Sequence, residues 1–140
     1  MRSKVLNLVA LILTPLILQA TGEELFQIDG KQVKFFRYEE MRISISKECK
    51  KLIDKKLCDN IDFLSNITLS KAGISGTGST NPGSIICKKL LHGSVVIGRD
   101  NENNENSFCR LKDGTYIDSG TLTYYATKNE GLIKTPTRRR

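Results

Sequence analysis

The side chains best suited to acid–base chemistry are few in this chain and include a single histidine, His92. Hydrolysis by a serine or cysteine nucleophile usually needs a histidine base, and zinc sites usually need several imidazole ligands. Cys87 precedes His92 and could act as a nucleophile beside it. Because the sequence predicts a helix that ends near His92, we interpret this histidine as a capping or surface residue instead.

The carboxylates offer two further kinds of chemistry. Asp113 and Asp118 could form a pair that cleaves glycosides, but both lie in turn sequence, where aspartate bonds to the local backbone. Residues 100–104 resemble the start of a calcium loop, yet Glu105 replaces the required glycine and Leu111 replaces the last acidic ligand. The sequence therefore predicts no catalytic residue, no metal site and no cofactor.

Residues 1–22 have the composition of a signal peptide. Two basic residues are followed by a nearly continuous apolar run over residues 5–18, and small residues come next. The run is short for a membrane span. We expect cleavage after Ala20 or Gly22, no transmembrane span after processing, and a periplasmic or secreted protein. A retained N-terminal anchor is the alternative.

Four cysteines, Cys49, Cys58, Cys87 and Cys109, follow the signal. An even number in an exported chain indicates disulfides, since the compartments outside the cytoplasm are oxidising. Four cysteines allow three pairings, and their spacing does not choose among them. Free or partly paired thiols are the alternative.

The 140-residue chain has a formal net charge of +7, with basic clusters at residues 47–56 and 138–140. This balance suits an anionic partner, such as lipid head groups or envelope polymers. An ordinary solvated surface has the same composition, and we expect no specific nucleic-acid partner.

The pattern of residues 23–68 predicts a β-hairpin followed by a basic amphipathic helix. Asp29-Gly30, between two β-prone runs, suits a tight turn with positive φ angles. Ser46 can cap a helix over residues 46–58, with apolar residues on one face and lysines on the other. Such a helix packs on a core or lies on an anionic membrane.

The two cysteines of this helix cannot pair if the helix is unbroken. Cys49 and Cys58 would then lie about 13 Å apart along the axis, which no disulfide spans. They can pair with each other only if the helix breaks before Cys58.

The second half begins with a Gly/Ser-rich stretch, residues 69–80, which is typical of a flexible linker. Residues 81–127 then predict one helix and an antiparallel sheet. Asn81 is the expected N-cap, Pro82 the first helical residue and Gly93 the left-handed C-terminal residue. Predicted strands cover residues 94–97, 107–111 and 115–117, a strand or short helix covers 121–126, and a disordered basic tail covers 128–140.

The spacing of short motifs in residues 80–126 adds a resemblance. The motifs are Asn81-Pro82-Gly83-Ser84, Cys87, Gly93, Phe108-Cys109, Asp113-Gly114 and Ile117-Asp118. This pattern resembles a family of small bacterial exported domains that carries a haemolysin label and has no known function. The family pattern reads Asn-Pro-Ala-Ser at its start, has a second glycine where this chain has His92, and usually has Trp where this chain has Gly120.

The resemblance implies a pairing and a location. It pairs Cys87 on the helix with Cys109 on the second strand, which leaves Cys49 and Cys58 as a second pair. It also implies an envelope or secreted bacterial protein, often a lipoprotein, although no cysteine stands at the expected cleavage site for lipid attachment.

These observations predict an α+β protein: a hairpin and a basic amphipathic helix, a linker, and a small disulfide-stabilised module of one helix and an antiparallel sheet. The expected function is a non-enzymatic interaction or structural module of the bacterial envelope or secretome. Its partner would be a protein, a polysaccharide or an anionic surface. The alternative is a membrane-active, haemolysin-like protein that acts on anionic lipid.

Overall fold

A computed structural model describes residues 22–47, 61–75 and 81–131. The strands are β1 Gly22–Ile28, β2 Lys31–Tyr38, β3 Ile43–Ile45, β4 Ser94–Arg99, β5 Glu105–Arg110 and β6 Tyr116–Asp118. The α-helices are α1 Pro82–Lys89 and α2 Ser119–Asn129, and 3₁₀ helices cover Glu39–Met41 and Asp62–Ser65. The six strands form one closed antiparallel barrel in the order β1-β2-β3-β6-β5-β4.

The barrel corrects the predicted fold class. The α+β prediction, with a hairpin unit ahead of a separate helix-plus-sheet module, is wrong, because strands from both halves of the chain form one sheet. β3 pairs with β6 at Ile45 and Ile117, and β1 pairs with β4 at Gln27 and Arg99. Strands β1 to β3 of the first half therefore close the sheet of β4 to β6 into a barrel.

The barrel interior explains why the two halves join. Phe26, Phe35 and Phe108 are buried, and their ring centroids lie 4.5 to 5.3 Å apart. Phe26 and Phe35 belong to the hairpin and Phe108 to β5, so a hairpin alone would leave two phenylalanines in water. Gly98 passes close by, since a Cβ there would lie 2.8 Å from atoms of Ile28 and Phe108. Burial of this aromatic surface favours closure.

A second core lies outside the barrel wall, under the helices. Successive strand residues point to opposite faces, so Cys109 and Ile117 face outward while their neighbours face the interior. Ile86 of α1 and Leu122 of α2 cover them and are themselves fully buried. The Cys87–Cys109 disulfide joins α1 to β5 across this layer, with 5.5 Å between the Cα atoms. The predicted pairing of these two cysteines is confirmed.

Two local predictions are confirmed. β1 and β2 form an antiparallel hairpin, and Asp29 and Gly30 at its turn have φ angles of 49° and 75°. Asn81 caps α1, because its side chain accepts a hydrogen bond from the Ser84 N–H at 3.1 Å, and Pro82 is the first helical residue.

The end of α1 differs from the prediction. His92, with φ 51°, adopts the left-handed conformation that we assigned to Gly93. Gly93 is required for space instead: a Cβ there would lie 2.7 Å from the Cys109 Sγ and 3.0 Å from the Cys87 Sγ. The glycine lets the chain pass over the disulfide.

Other predictions fall partly or wholly outside the described residues. Of the basic helix, only Ser46 and Lys47 are described, and the Ser46 hydroxyl accepts a hydrogen bond from the Tyr116 N–H of β6 at 2.8 Å. Cys49 and Cys58 lie outside. The described part of the predicted linker, residues 69–75, forms turns in which Ala72 is buried.

The first and last predicted segments are also described only in part. Gly22, the last residue of the predicted signal, begins β1, so cleavage after Ala20 would leave this strand whole. The predicted strand or short helix at 121–126 is part of α2, which continues to Asn129 and so includes the first two residues of the tail predicted at 128–140. Within the described ranges, no helix has the length and apolar character needed to cross a membrane.

Candidate binding site at the barrel mouth

One end of the barrel has a polar interior face. Asp118 lies opposite Phe108 and Glu24 opposite Phe35, so both carboxylates share the inner face with these rings. Arg37 follows Phe35 by two strand positions and therefore points to the same side. We call this end, where β2 and β6 end and β1 and β3 begin, the barrel mouth.

Charges of both signs meet at the mouth. The Arg37 guanidinium lies 2.8 Å from Glu24 and 4.0 Å from Glu39, and its positive charge also acts on Asp118. Burial raises the pKa of the Asp118 carboxyl, while hydrogen bonds from the Thr121 and Gly120 N–H groups and the Arg37 charge oppose the rise. Asp118 is therefore half-buried, and the hydrogen bonds and the Arg37 charge offset only part of the cost of burying its ionised form.

Asp118 holds α2 in place. Its side chain accepts a hydrogen bond from the Thr121 N–H at 2.9 Å and so caps the helix. Thr121 in turn binds the chain at the start of β3: its Oγ1 accepts a hydrogen bond from the Ser44 N–H at 3.1 Å and donates one to the Arg42 carbonyl. Tyr125 adds a bond from its hydroxyl to the Met41 carbonyl at 2.9 Å. The first turns of α2 thus fix the backbone at residues 41–44.

Arg42 is an exposed cation of the mouth. Its backbone is left-handed, with φ 52°, a conformation that an arginine rarely adopts. Its guanidinium lies 5.0 Å from the centre of the Tyr124 ring, in a cation–π contact, and Tyr124 packs edge-on against Tyr125. Among the described residues, no carboxylate forms an ion pair with Arg42.

These groups surround an open cleft of about 330 Å³, which we call the mouth cleft. Its lining consists of Arg37, Glu39, Arg42, Ile43, Ser44, Asp118, Gly120, Thr121 and Tyr124. An arginine can hold a carboxylate or phosphate through two parallel hydrogen bonds, and a tyrosine ring can stack on a sugar or aromatic group. The mouth cleft can therefore hold a small group of mixed polar and ring character.

The structure separates the residues of the resemblance motifs. Asn81, Pro82 and Ser84 begin α1 next to the start of α2, and Asp118 is the cap of α2. The backbone of Gly93 passes next to the disulfide, and Ile117 is buried below the helices.

Asp113 and Gly114 form a turn between β5 and β6. The Asp113 carboxylate accepts a hydrogen bond from the Thr115 N–H at 3.0 Å, and Gly114 has φ 84°. Only Asp118 of the motif residues lines the mouth cleft.

Three serine hydroxyls form a chain between the two helices and the sheet. The Ser84 and Ser107 hydroxyls lie 3.1 Å apart, and those of Ser107 and Ser119 lie 2.9 Å apart. The chain links α1, β5 and α2. His92 does not contact these hydroxyls, and no described cluster of His, Cys, Asp or Glu could hold a metal ion.

The sequence singled out Asp118 but missed Arg37 and Arg42. Arg37 directly follows Phe35 and Phe36 in a β-prone run, and this pattern does not indicate that the strand ends at a barrel mouth. The Arg42 backbone accepts a hydrogen bond from the hydroxyl of Thr121, which lies 79 positions later. No local sequence signal indicates such a contact.

The resemblance to the haemolysin-labelled domains stays a prediction, since no family model, curated protein or solved structure matches the chain.

Proposed function

We propose that this chain is a non-enzymatic interaction module of the bacterial envelope or secretome, and that it binds its partner at the mouth cleft. The observation that carries the proposal is Arg42. Its guanidinium is stacked on Tyr124 beside an open cleft, and α2 fixes its backbone through Thr121. A cation placed on rigid elements is suited to hold an anionic group of the partner.

Export is supported by residues 1–22 and by the Cys87–Cys109 disulfide, because disulfides persist in oxidising compartments. The location would be the periplasm or the medium. Intact mass of the exported protein, measured before and after thiol alkylation, tests this part. We expect a mature chain that begins near residue 21 and gains no alkyl group at Cys87 or Cys109. A full-length cytosolic chain with free thiols would contradict it.

Binding is tested by NMR titration of the labelled mature protein. The probes are oligogalacturonate, whose sugars carry carboxylates, neutral dextran, and vesicles of phosphatidylglycerol or phosphatidylcholine. We expect an anionic probe to shift the amide signals of Arg42, Thr121 and Tyr124, and Arg42→Ala to weaken the effect at least fivefold.

Arg110→Ala is the matched control, because Arg110 is also an exposed arginine but lies at the other end of the barrel, 3.6 Å from Asp29. Equal loss in both variants would show that only general charge matters and would refute the mouth cleft as the site. Turnover of the bound oligosaccharide would contradict a non-enzymatic role.

The membrane-active alternative depends on the basic segment 48–58, which lies outside the described residues. In the described ranges, the large apolar side chains that are exposed are Leu25 and Ile97, and they stand on different strands. Dye release from phosphatidylglycerol vesicles that disappears when the lysines of this segment are replaced would favour the alternative.

A further inference from the structure

Strand β1 extends beyond the strand that closes the barrel. It covers Gly22–Ile28, but β4 pairs with only Gln27 and Ile28. From Gly22 to Phe26, β1 pairs with β2 on one edge, and no described strand pairs with the other edge.

The hairpin turn determines which backbone groups this open edge presents. Ile28 and Lys31 flank the two-residue turn and exchange hydrogen bonds with each other. Because antiparallel strands alternate, the residues of β1 that bond to β2 are the even-numbered ones. The N–H and C=O groups of Glu23 and Leu25 therefore point away from β2, and no hydrogen bond from them to a described residue is present.

A cleft of about 460 Å³ runs beside this edge, which we call the edge groove. One wall is residues 23–26, and the other includes Asp100, Glu102 and Asn106. Hydrogen bonds within the loop fix the backbone of the second wall, because the Asp100 carboxylate accepts from the Glu102 N–H at 2.8 Å and from the Asn104 N–H at 2.9 Å.

The edge groove is acidic. Four carboxylates line it, those of Glu23, Glu24, Asp100 and Glu102, against one guanidinium, that of Arg37. Glu23 forms an ion pair with Lys34 and Glu24 forms one with Arg37, each at 2.8 Å. No described cation forms an ion pair with Asp100 or Glu102. An incoming chain with basic side chains would fit this charge.

We propose that the β1 edge binds an extended basic segment of a partner protein, which adds to the barrel as a further strand. The segment would bond to the main chain of Glu23 and Leu25, and its lysines or arginines would lie near Asp100 and Glu102. This inference deepens the proposed function, because it names the partner as a protein and adds a second contact next to the mouth cleft.

The test uses fluorescence anisotropy with a labelled octapeptide of alternating lysine and threonine. The mature protein should bind this peptide and should not bind the same peptide with glutamate in place of lysine. Leu25→Pro removes the N–H that points into the groove and should weaken binding at least tenfold. Ile97→Ala removes an exposed apolar side chain of β4 that does not line the edge groove, and it is the control, with binding within twofold of the parent.

Two further measurements keep the test decisive if Leu25→Pro does not fold. Glu102→Gln should weaken binding about threefold at low salt and less at high salt, since it removes one exposed charge. Hydrogen exchange at Glu23 and Leu25 should slow at least tenfold when the peptide is added.

Three results would overturn the inference: equal binding of the glutamate peptide, no change at Leu25→Pro, or slow exchange at Leu25 before peptide is added. The last result would show that the chain itself covers the edge. Binding that depends on Arg42 but not on Leu25 would leave the mouth cleft in place and refute only the added strand.

Discussion

The replacement Gly83→Ala tests how closely the two helices approach. A Cβ at residue 83 would lie 2.0 Å from the Ser119 carbonyl oxygen and 2.7 Å from its carbonyl carbon. Both are backbone atoms, so relief requires α1 and α2 to move apart by more than an ångström. The family pattern has alanine at this position, so the test also bears on the resemblance.

Two effects of opposite sign decide the outcome. Alanine in a helix is favoured over glycine by up to about 1 kcal/mol. Overpacking costs about 1 to 3 kcal/mol, and a contact between two backbones falls at the upper end. We therefore expect Gly83→Ala to lower the free energy of unfolding by about 2 kcal/mol.

Urea unfolding followed by circular dichroism, with the disulfide intact, measures this change. Gly22→Ala is the control, because a Cβ there meets no atom within 4 Å, and its effect should stay within about 0.5 kcal/mol. If Gly83→Ala is as stable as the parent, the close approach of the helices is incorrect.

Three further predictions concern the disulfide, the mouth and the serine chain. The double variant Cys87→Ala, Cys109→Ala should lose about 3 kcal/mol in urea unfolding, because the bond closes a loop whose ends are 22 positions apart; an unchanged midpoint would refute this. Asp118→Asn keeps an oxygen for the cap and should be more stable than the parent at pH 7. Burial raises the pKa of Asp118 above 3.8, so the protonated side chain stabilises the folded parent below pH 3.8, and this contribution is lost as the pH rises through the folded pKa. If Asp118→Asn is still more stable than the parent at pH 2, burial of the charge is not the cause of the gain. Ser107→Ala should cost about 1 kcal/mol, since Ser84 and Ser119 each lose a partner, whereas the exposed Ser94→Ala should cost less than half of this.

Features set by neighbouring residues could be predicted from the sequence. Asp29-Gly30 supplies positive φ angles whatever the rest of the chain does, and Asn81-Pro82 begins a helix by local hydrogen bonding. The Cys87–Cys109 pair came from the resemblance, and the structure confirms it.

Features set by distant residues could not be predicted in this way. β3 is only three residues long and joins β6 through Ile45 and Ile117, so its local pattern is too short to distinguish a strand from a loop. The left-handed residue after α1 is His92, while Gly93 is needed because the disulfide leaves no space for a side chain there. Such choices depend on packing that forms only in the complete barrel.

The two seams of the barrel set the order in which a newly made chain can fold. The partners of each seam, Gln27 with Arg99 and Ile45 with Ile117, are separated by about seventy residues. The hairpin can form as soon as it is synthesised, but Phe26 and Phe35 can be buried only after Phe108 has been synthesised. During synthesis the chain therefore has an incomplete sheet with exposed apolar side chains, and slow late closure of the barrel is the expected kinetic consequence.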